Sequence, residues 1–536
     1  MKAIIFLFAL LLFLAFPAFS SAVNAENLHI GSDKQLFIDF NIVEKYSNIK
    51  LVMNPPVKKG ILITADKPWE NMGIASYGEV IDDNGLFRMW YETSNKQKIA
   101  GKDSSVIRGF TCYAESKDGI SWEKTPVWNY ELGGNKDNNI VFPFFHHGTV
   151  FKDPNAAPDK RYKTIIYDDD IITQFAAYSP DGINGWKFVD WRHHYLTDTQ
   201  NMAFWDDQRK KYVLYFRGWT RNLLRTVVRC ETDDFLAKWP IPEPGPNSLR
   251  KHKDKWATIS DEIPVVIKSD EKDPEPSDFY NPCVVKYPEA PNVYFAFPSM
   301  FFHLPNPPMG VNLTDKDFIY SYGVEPPYIH VPRHYNAPAS SEMKKRNVQT
   351  RNSGLLDIRF MTSRDGIKWN RDFRDPYISL GIDGEQDSGS MYMYVGMIIK
   401  GGSIYQYYTG NRNWHSDYDG CDGAVFMTEQ RLDGFVSADT PYGGGEIITK
   451  PIVFKGSALH ININTSAIGS AALEILDLNG NPLPGYNISS CDVIRGNFID
   501  KIVSWGERND LNGIQGKPVK LRILMRDSKL YSLQFK

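Results

Sequence analysis

One short segment recurs along this chain of 536 residues, and its recurrence limits the fold more than any other feature. Ser116-Lys117-Asp118-Gly119-Ile120-Ser121-Trp122 returns as Ser179-Pro180-Asp181-Gly182-Ile183-Asn184-Gly185-Trp186. It returns again as Ser363-Arg364-Asp365-Gly366-Ile367-Lys368-Trp369. Thr232-Asp233-Asp234-Phe235 with Trp239, and Leu432-Asp433-Gly434-Phe435, are degenerate copies. Asp-Gly is a tight-turn signal between strands. A strand-like run precedes each copy, at 110–114, 175–178, 226–230, 357–361 and 424–427. One step upstream lies a second, aromatic and alternating series, at 87–91, 162–167, 212–216, 293–297 and 404–408. Before each of these come a turn and a further short strand, at 76–81, 146–151, 201–204, 281–287 and 391–399.

The unit is therefore strand, turn, strand, loop, strand, Asp-Gly turn, strand. Five copies of such a unit predict an all-β chain built as a five-bladed β-propeller over 26–445. Periodicity of 3.6 residues is nearly absent after residue 25. A long polar, Pro-rich insertion interrupts the fourth copy at about 303–353. After Gly443-Gly444-Gly445 the pattern changes to short alternating strands, and 446–536 is predicted to form a β-sandwich module.

Residues 1–25 read as a signal peptide: a basic Lys2, an apolar run, then the small-x-small pattern Ala22-Val23-Asn24-Ala25. This predicts a secreted or periplasmic protein that leaves the membrane once the leader is cleaved. The net charge of −3 gives no basic excess for nucleic acid. Cys112, Cys230, Cys283, Cys421 and Cys491 are far apart, without the spacing of a disulfide framework or a zinc site, and read as small buried residues. No cofactor is expected. Asp82-Asp83-Asn84-Gly85 and Asp168-Asp169-Asp170 offer hard oxygens suited to a structural calcium, but they lack EF-hand spacing and read as solvated turns. The sequence does not fix the oligomeric state.

In such a ring the starts of the first strands share one mouth. Those starts carry Tyr77-Gly78-Glu79, His146-His147-Gly148, Asp198-Thr199-Gln200-Asn201, Asp278-Phe279-Tyr280-Asn281 and Glu385-Gln386-Asp387. Glycosidic hydrolysis needs one protonated carboxyl at the leaving oxygen and a second, ionised one. Crowded carboxylates push their pKa values apart and allow this division. Asp198, Asp278, Glu385 and Asp387 are the candidate catalytic acids, with their individual roles open. Candidate substrate contacts are Tyr77, His146, His147, Gln200, Asn201, Tyr280 and Asn281 at the same starts. To these are added Trp69 for stacking, Arg88 and Arg217 as partners of the acids or of an acidic sugar, and His303 beside the insertion.

At Leu36-Phe37-Ile38-Asp39, Arg88-Met89-Trp90-Tyr91, the Ser-x-Asp-Gly-x-x-Trp copies, Asp198-Thr199-Gln200-Asn201 with Phe204-Trp205-Asp206, and Tyr407-Tyr408-Thr409-Gly410, the chain resembles the five-bladed propeller glycoside hydrolases of families 32, 43, 62, 68 and 130. It is most similar to exported proteins carrying a family 32 N-terminal-like domain. The resemblance covers 30–536, with Val503-Ser504-Trp505 and Leu530-Tyr531 in the last module. It lacks the Trp-Met-Asn-Asp-Pro-Asn block and the Glu-Cys motif of the retaining enzymes. Phe151-Lys152-Asp153-Pro154 and Phe373-Arg374-Asp375-Pro376 look like the Arg-Asp-Pro signature of fructan-cleaving propellers but fall outside first-strand starts, and they read as turns.

The resemblance implies a secreted glycoside hydrolase acting on a poly- or oligosaccharide. Two readings stand beside it. A non-catalytic carbohydrate-binding propeller would have its acids far apart or paired with arginine. A propeller polysaccharide lyase would use a Tyr/His pair drawn from Tyr77, Tyr280, His146 and His147.

Overall fold

The computed structural model describes residues 27–98, 105–143, 146–168, 173–220, 224–243, 251–252, 256–257, 263–274, 277–303, 354–415 and 422–536. The leader-like segment, the body of the insertion and Cys421 lie outside these residues. Among the described residues the chain is all-β, and its helical segments are short 3-10 turns.

Five antiparallel sheets follow one another along the chain, the fourth and fifth joined edge to edge by the parallel pairing of Leu356 with Ser390. The first joins Ile74–Asp83, Leu86–Lys98, Ser105–Ser116 and Ile140–Phe142. The second joins Phe151–Lys152, Tyr162–Asp168, Thr173–Ser179 and Lys187–Phe188. The third joins Met202–Asp206, Lys211–Trp219, Arg225–Thr232 and Val265–Ile267. In the fourth, three bent segments pair twice. Ser277–Phe279, Ser299–His303 and Gly354–Ile358 form one ladder; Val284–Lys286, Tyr294–Ala296 and Met361–Ser363 form the other. The fifth joins Ser390–Met393 and Ile398–Lys400, Ser403–Asn411 and Ala424–Arg431. Its outer strand, Val57–Ile63, comes from the start of the chain.

Successive first strands touch in turn, and the last touches the first. Val150 N donates to Glu79 Oε1 at 3.0 Å, and Thr149 N donates to Asn201 O at 3.0 Å. Cys283 Sγ reaches Met393 O at 3.5 Å. Val80 N donates to Val395 O at 2.9 Å, and Val395 N to Gly78 O at 3.0 Å. This last junction depends on Gly78, where a Cβ would stand 2.4 Å from the Tyr394 ring.

The recurring turns clasp each sheet to the one before it. Asp118 Oδ1 accepts from Ile120 N and Ser121 N, and Asp181 and Asp365 repeat the pattern. The turn so fixed offers its glycine carbonyl to a neighbour. Trp90 Nε1 donates to Gly182 O at 3.0 Å, Tyr215 Oη to Gly366 O at 2.7 Å, and Tyr407 Oη to Gly119 O at 2.6 Å. In the degenerate fifth copy the direction is kept with other atoms: Tyr287 Oη donates to Asp433 Oδ1 at 2.7 Å.

The chain's last hundred residues do not pack alone, which changes the boundary drawn at 445. Two sheets share one apolar core. One runs Asn497–Ile502, Leu459–Asn464, Ser528–Phe535, Val436–Thr440 and Lys50–Met53. The other runs Val43–Ser47, Gly445–Thr449, Lys520–Arg526 and Ser470–Leu476. The early segment contributes Ile30, Phe37, Ile42, Val43 and Ile49 to that core. Cys112, Cys230, Cys283 and Cys491 are free and buried.

Candidate functional site

First strands begin, and second strands end, at the same edge of each sheet. Ile74 pairs with Thr93 in the first sheet, and Met202 with Tyr215 in the third. Residues from both series therefore meet where the five sheets converge.

The groups gathered there are Tyr77, Glu92, His146, Asp198, Arg217, Tyr280, Tyr392 and His415. The His146 ring lies 5.2 Å from the Tyr77 ring. Tyr392 packs edge-on against both Tyr77 (5.9 Å) and Tyr280 (5.8 Å). Tyr392 Oη and His415 Nδ1 are hydrogen-bonded at 2.6 Å, and the Tyr280 ring is 4.5 Å from His415. Arg217 lies over the Tyr280 ring at 4.4 Å and donates to Tyr280 O at 2.6 Å and to Asp198 Oδ2 at 2.8 Å.

His146 stands between two carboxylates. Its Nδ1 is 3.6 Å from Glu92 Oε1 and its Nε2 is 3.8 Å from Asp198 Oδ1. Both His146 (φ 54°) and Asp198 (φ 36°) hold left-handed backbone conformations. Non-glycine residues in that region cost about 1–3 kcal/mol and cluster at functional sites.

Beneath this layer His147 is fully buried. Its Nε2 lies 2.9 and 3.1 Å from the Glu79 oxygens, and its Nδ1 is 3.5 Å from Glu92 Oε1. Gln200 Nε2 donates to Glu79 Oε2 at 2.9 Å. Burial opposes a charge on His147, but the carboxylates of Glu79 and Glu92 outweigh it and raise its pKa to about 9. Burial also raises Glu79, against the pull of His147. At Glu92 burial is outweighed by the charges and hydrogen bonds of His146 and His147, which hold its carboxyl at about 2.

The four candidate acids do not assemble as the sequence predicts. Asp198 is in the cluster, and its side chain is 34% exposed. Asp278 is fully buried: it accepts from Arg225 N at 2.9 Å and pairs with the Arg225 guanidinium at 3.2 Å. Asp387 is buried against Lys58 at 2.7 Å and Tyr408 Oη at 2.7 Å, because it lies against Gly410, beside the fifth sheet's second strand. Glu385 is exposed and accepts from Ile382 N at 2.8 Å, closing its own turn.

Several expected contacts also move. Arg88 lies opposite Ile81, toward the far end of the first sheet, where it bonds Asp83, Tyr113 and Asp181 O. Asp83 is bonded by Arg88, Lys152 and Tyr162. Trp69 donates to Asn139 Oδ1 at 2.9 Å beside the outer strand of the first sheet. Asn281 is buried and accepts from Ser299 N at 2.8 Å, and Asn201 is buried beside Gln200. His303 ends a strand whose partner there is Gly354; its side chain lies outside the described residues. The two motifs read as turns are tied down, Asp153 by Lys163 and Tyr212, and Arg374 by Asp270 and Asp273.

Glu92, Tyr392 and His415 are not among the residues the sequence singles out. Glu92 follows Arg88-Met89-Trp90-Tyr91 at the mouth end of a second strand, the position Arg217 holds in the third sheet. A scan of second-strand ends would have found it.

No protein-family model matches the chain, and no curated protein matches it. Among solved structures it is similar to one described as a glycoside hydrolase, at 14% identity and a TM-score of 0.40, covering 70% of this chain and 92% of that one. It is similar to a β-1,2-mannobiose phosphorylase from Listeria innocua at 11% identity and 0.40, covering 69% and 94%. It is also similar to a GH62 α-L-arabinofuranosidase catalytic domain from Coprinopsis cinerea at 10% and 0.37, covering 70% and 98%.

Proposed function

We propose that the five sheets are the blades of a five-bladed β-propeller joined to a β-sandwich, and that the protein is an exported, carbohydrate-active enzyme cleaving glycosidic bonds at the propeller mouth. The observation that carries this reading is His146 held between Glu92 and Asp198, with two of the three on strained backbone.

In hydrolysis a proton must reach the leaving oxygen while a carboxylate assists water or the sugar cation. Asp198 supplies the carboxylate: it too is paired with a cation, Arg217, but its side chain is 34% exposed, whereas Asp278 and Asp387 are buried in their pairs. His146 carries the proton in place of a second acid. Tyr77, Tyr280 and Tyr392 are buried and pack as the wall behind His146 and Asp198, so they support the site rather than offer faces to a sugar. Arg217 holds Asp198 in place from a fully buried position.

The test is glycan and aryl-glycoside cleavage by wild type beside Asp198→Asn, His146→Gln and Tyr392→Phe, each checked for folding. Loss of about 10²–10⁴-fold is expected for His146→Gln, the usual contribution of a proton-transfer group. Full activity in both Asp198→Asn and His146→Gln would refute this assignment. The bonded Tyr392–His415 pair favours a second reading, β-elimination, which differs in leaving an unsaturated, ultraviolet-absorbing sugar end.

A further inference from the structure

One oxygen of Glu92 faces both histidines. Its Oε1 accepts from the backbone N of His146, and it lies at ion-pair distance from Nδ1 of His146 (3.6 Å) and from Nδ1 of His147 (3.5 Å). Glu92 is itself 1% exposed, so water does not compete for it. Glu79, the other carboxylate of this layer, is already saturated by His147, Gln200 and Val150 N. His146 therefore has Glu92 behind it and Asp198 in front.

We infer that Glu92 is the positioning residue of His146: it fixes the ring so that Nε2 faces Asp198 and the mouth, and it holds the ring protonated there. The inference rests on the proposed role of His146 in glycan cleavage. A carboxylate at Nδ1 selects the tautomer that keeps a proton on that nitrogen, so Nε2 becomes the atom that gains and releases one. The backbone bond to Glu92 also anchors the left-handed turn at His146.

The buried pair His147–Glu79 sets the charge that His146 feels. Glu79, Glu92 and the His147 imidazolium together leave one negative charge, and Glu92 is the carboxylate nearest His146. Other ionisable groups facing His146 include Asp198, Tyr77 and Tyr167, whose ring is 6.1 Å away; Arg217 stands behind Asp198. Removing Glu92 takes away the anion at Nδ1. Removing His147 takes away a cation that shares that anion. The two changes must move His146 in opposite directions.

The test is a histidine-resolved NMR titration of the full chain, with the His146 signals assigned from His146→Gln. Glu92→Gln is expected to lower the His146 midpoint by about one unit or more, a tenfold shift in its protonation equilibrium, and to move its neutral form toward a mixture of tautomers. Glu92→Asp restores part of the shift. His147→Gln raises the midpoint, and this variant decides the matter if Glu92→Gln does not fold. An unmoved His146 midpoint in both variants, or movement of both in one direction, overturns the inference. A purely structural Glu92 would lower thermal stability and leave the midpoint alone. The titration needs no substrate. Opposite midpoint shifts in a protein that cleaves no glycan would therefore refute the proposed function and leave the coupling established.

Discussion

His147 is among the most constrained residues in the chain, a fully buried imidazole between two carboxylates. Its folded pKa of about 9 lies above the ordinary value of 6.5. A group raised on folding contributes stability that is complete below its unfolded pKa and disappears as pH rises through the folded one. Stability is therefore expected to fall between about pH 6.5 and pH 9, by at most ~3.5 kcal/mol at about 1.4 kcal/mol per unit. Denaturant melts at stepped pH would show the decline, and His147→Gln would flatten it while lowering stability at pH 6. Glu92 acts with the opposite sign: held at about 2, its contribution is present above 4.5 and is lost only as pH falls through 2. Much of this was legible in the sequence, since His146, His147, Asp198 and Tyr280 all sit at first-strand starts. Glu92 and His415 were hidden because the ends of second strands open on the same mouth. The pairing of Asp278 with Arg225 was hidden too, because the distance between strand ends of different sheets is not a sequence property.

The element that repeats most clearly has a use between sheets rather than within one. Each of the three full Ser-x-Asp-Gly copies is stiffened by its own aspartate and presents a glycine carbonyl to an aromatic donor of the preceding sheet. Tyr407 is fully buried, and its hydroxyl is the donor to Gly119 O. Tyr407→Phe keeps the ring and leaves that carbonyl only the longer bond from Trp122 Nε1 at 3.2 Å, which costs roughly 0.5–1.5 kcal/mol, the net worth of one hydrogen bond. Chemical denaturation should show that loss with the slope unchanged, because the area exposed on unfolding is the same. A stability equal to wild type would mean that the clasp is replaced by water. The strand runs and turns were readable from alternation and from Asp-Gly. The splitting of the fourth and fifth first strands, at 280–283 and 394–397, was not. Those breaks arise where a strand must bend to meet its neighbours around the ring: Cys283 takes a left-handed φ of 37°, and Gly396 one of 90° with a carbonyl oxygen 2.1 Å from where a Cβ would stand.

At the scale of the whole molecule the early chain holds two distant parts together. Val57–Ile63 completes the fifth sheet, and the strands between 28 and 53 complete both sheets of the last module. A reading that proceeds along the sequence assigns 446–536 to a module of its own, since nothing in its pattern shows that its partners lie more than 380 residues upstream. Burial shows the dependence. Ile30, Phe37, Ile42, Val43 and Ile49 are all in that core, and at about 1.5–3 kcal/mol per buried side chain their loss is roughly 10 kcal/mol. Net stabilities are about 5–15 kcal/mol, so the fragment 436–536 is expected to lack a cooperative transition by circular dichroism and to show collapsed amide signals by NMR. Joining 27–54 to its end through a flexible linker should restore a cooperative melt, because strands 43–47 and 50–53 can then pair with 445–449 and 436–440 as they do in the full chain. A sharp melt from 436–536 alone would show that the early strands decorate a module already able to fold, and that the chain's two ends meet for the sake of ring closure only.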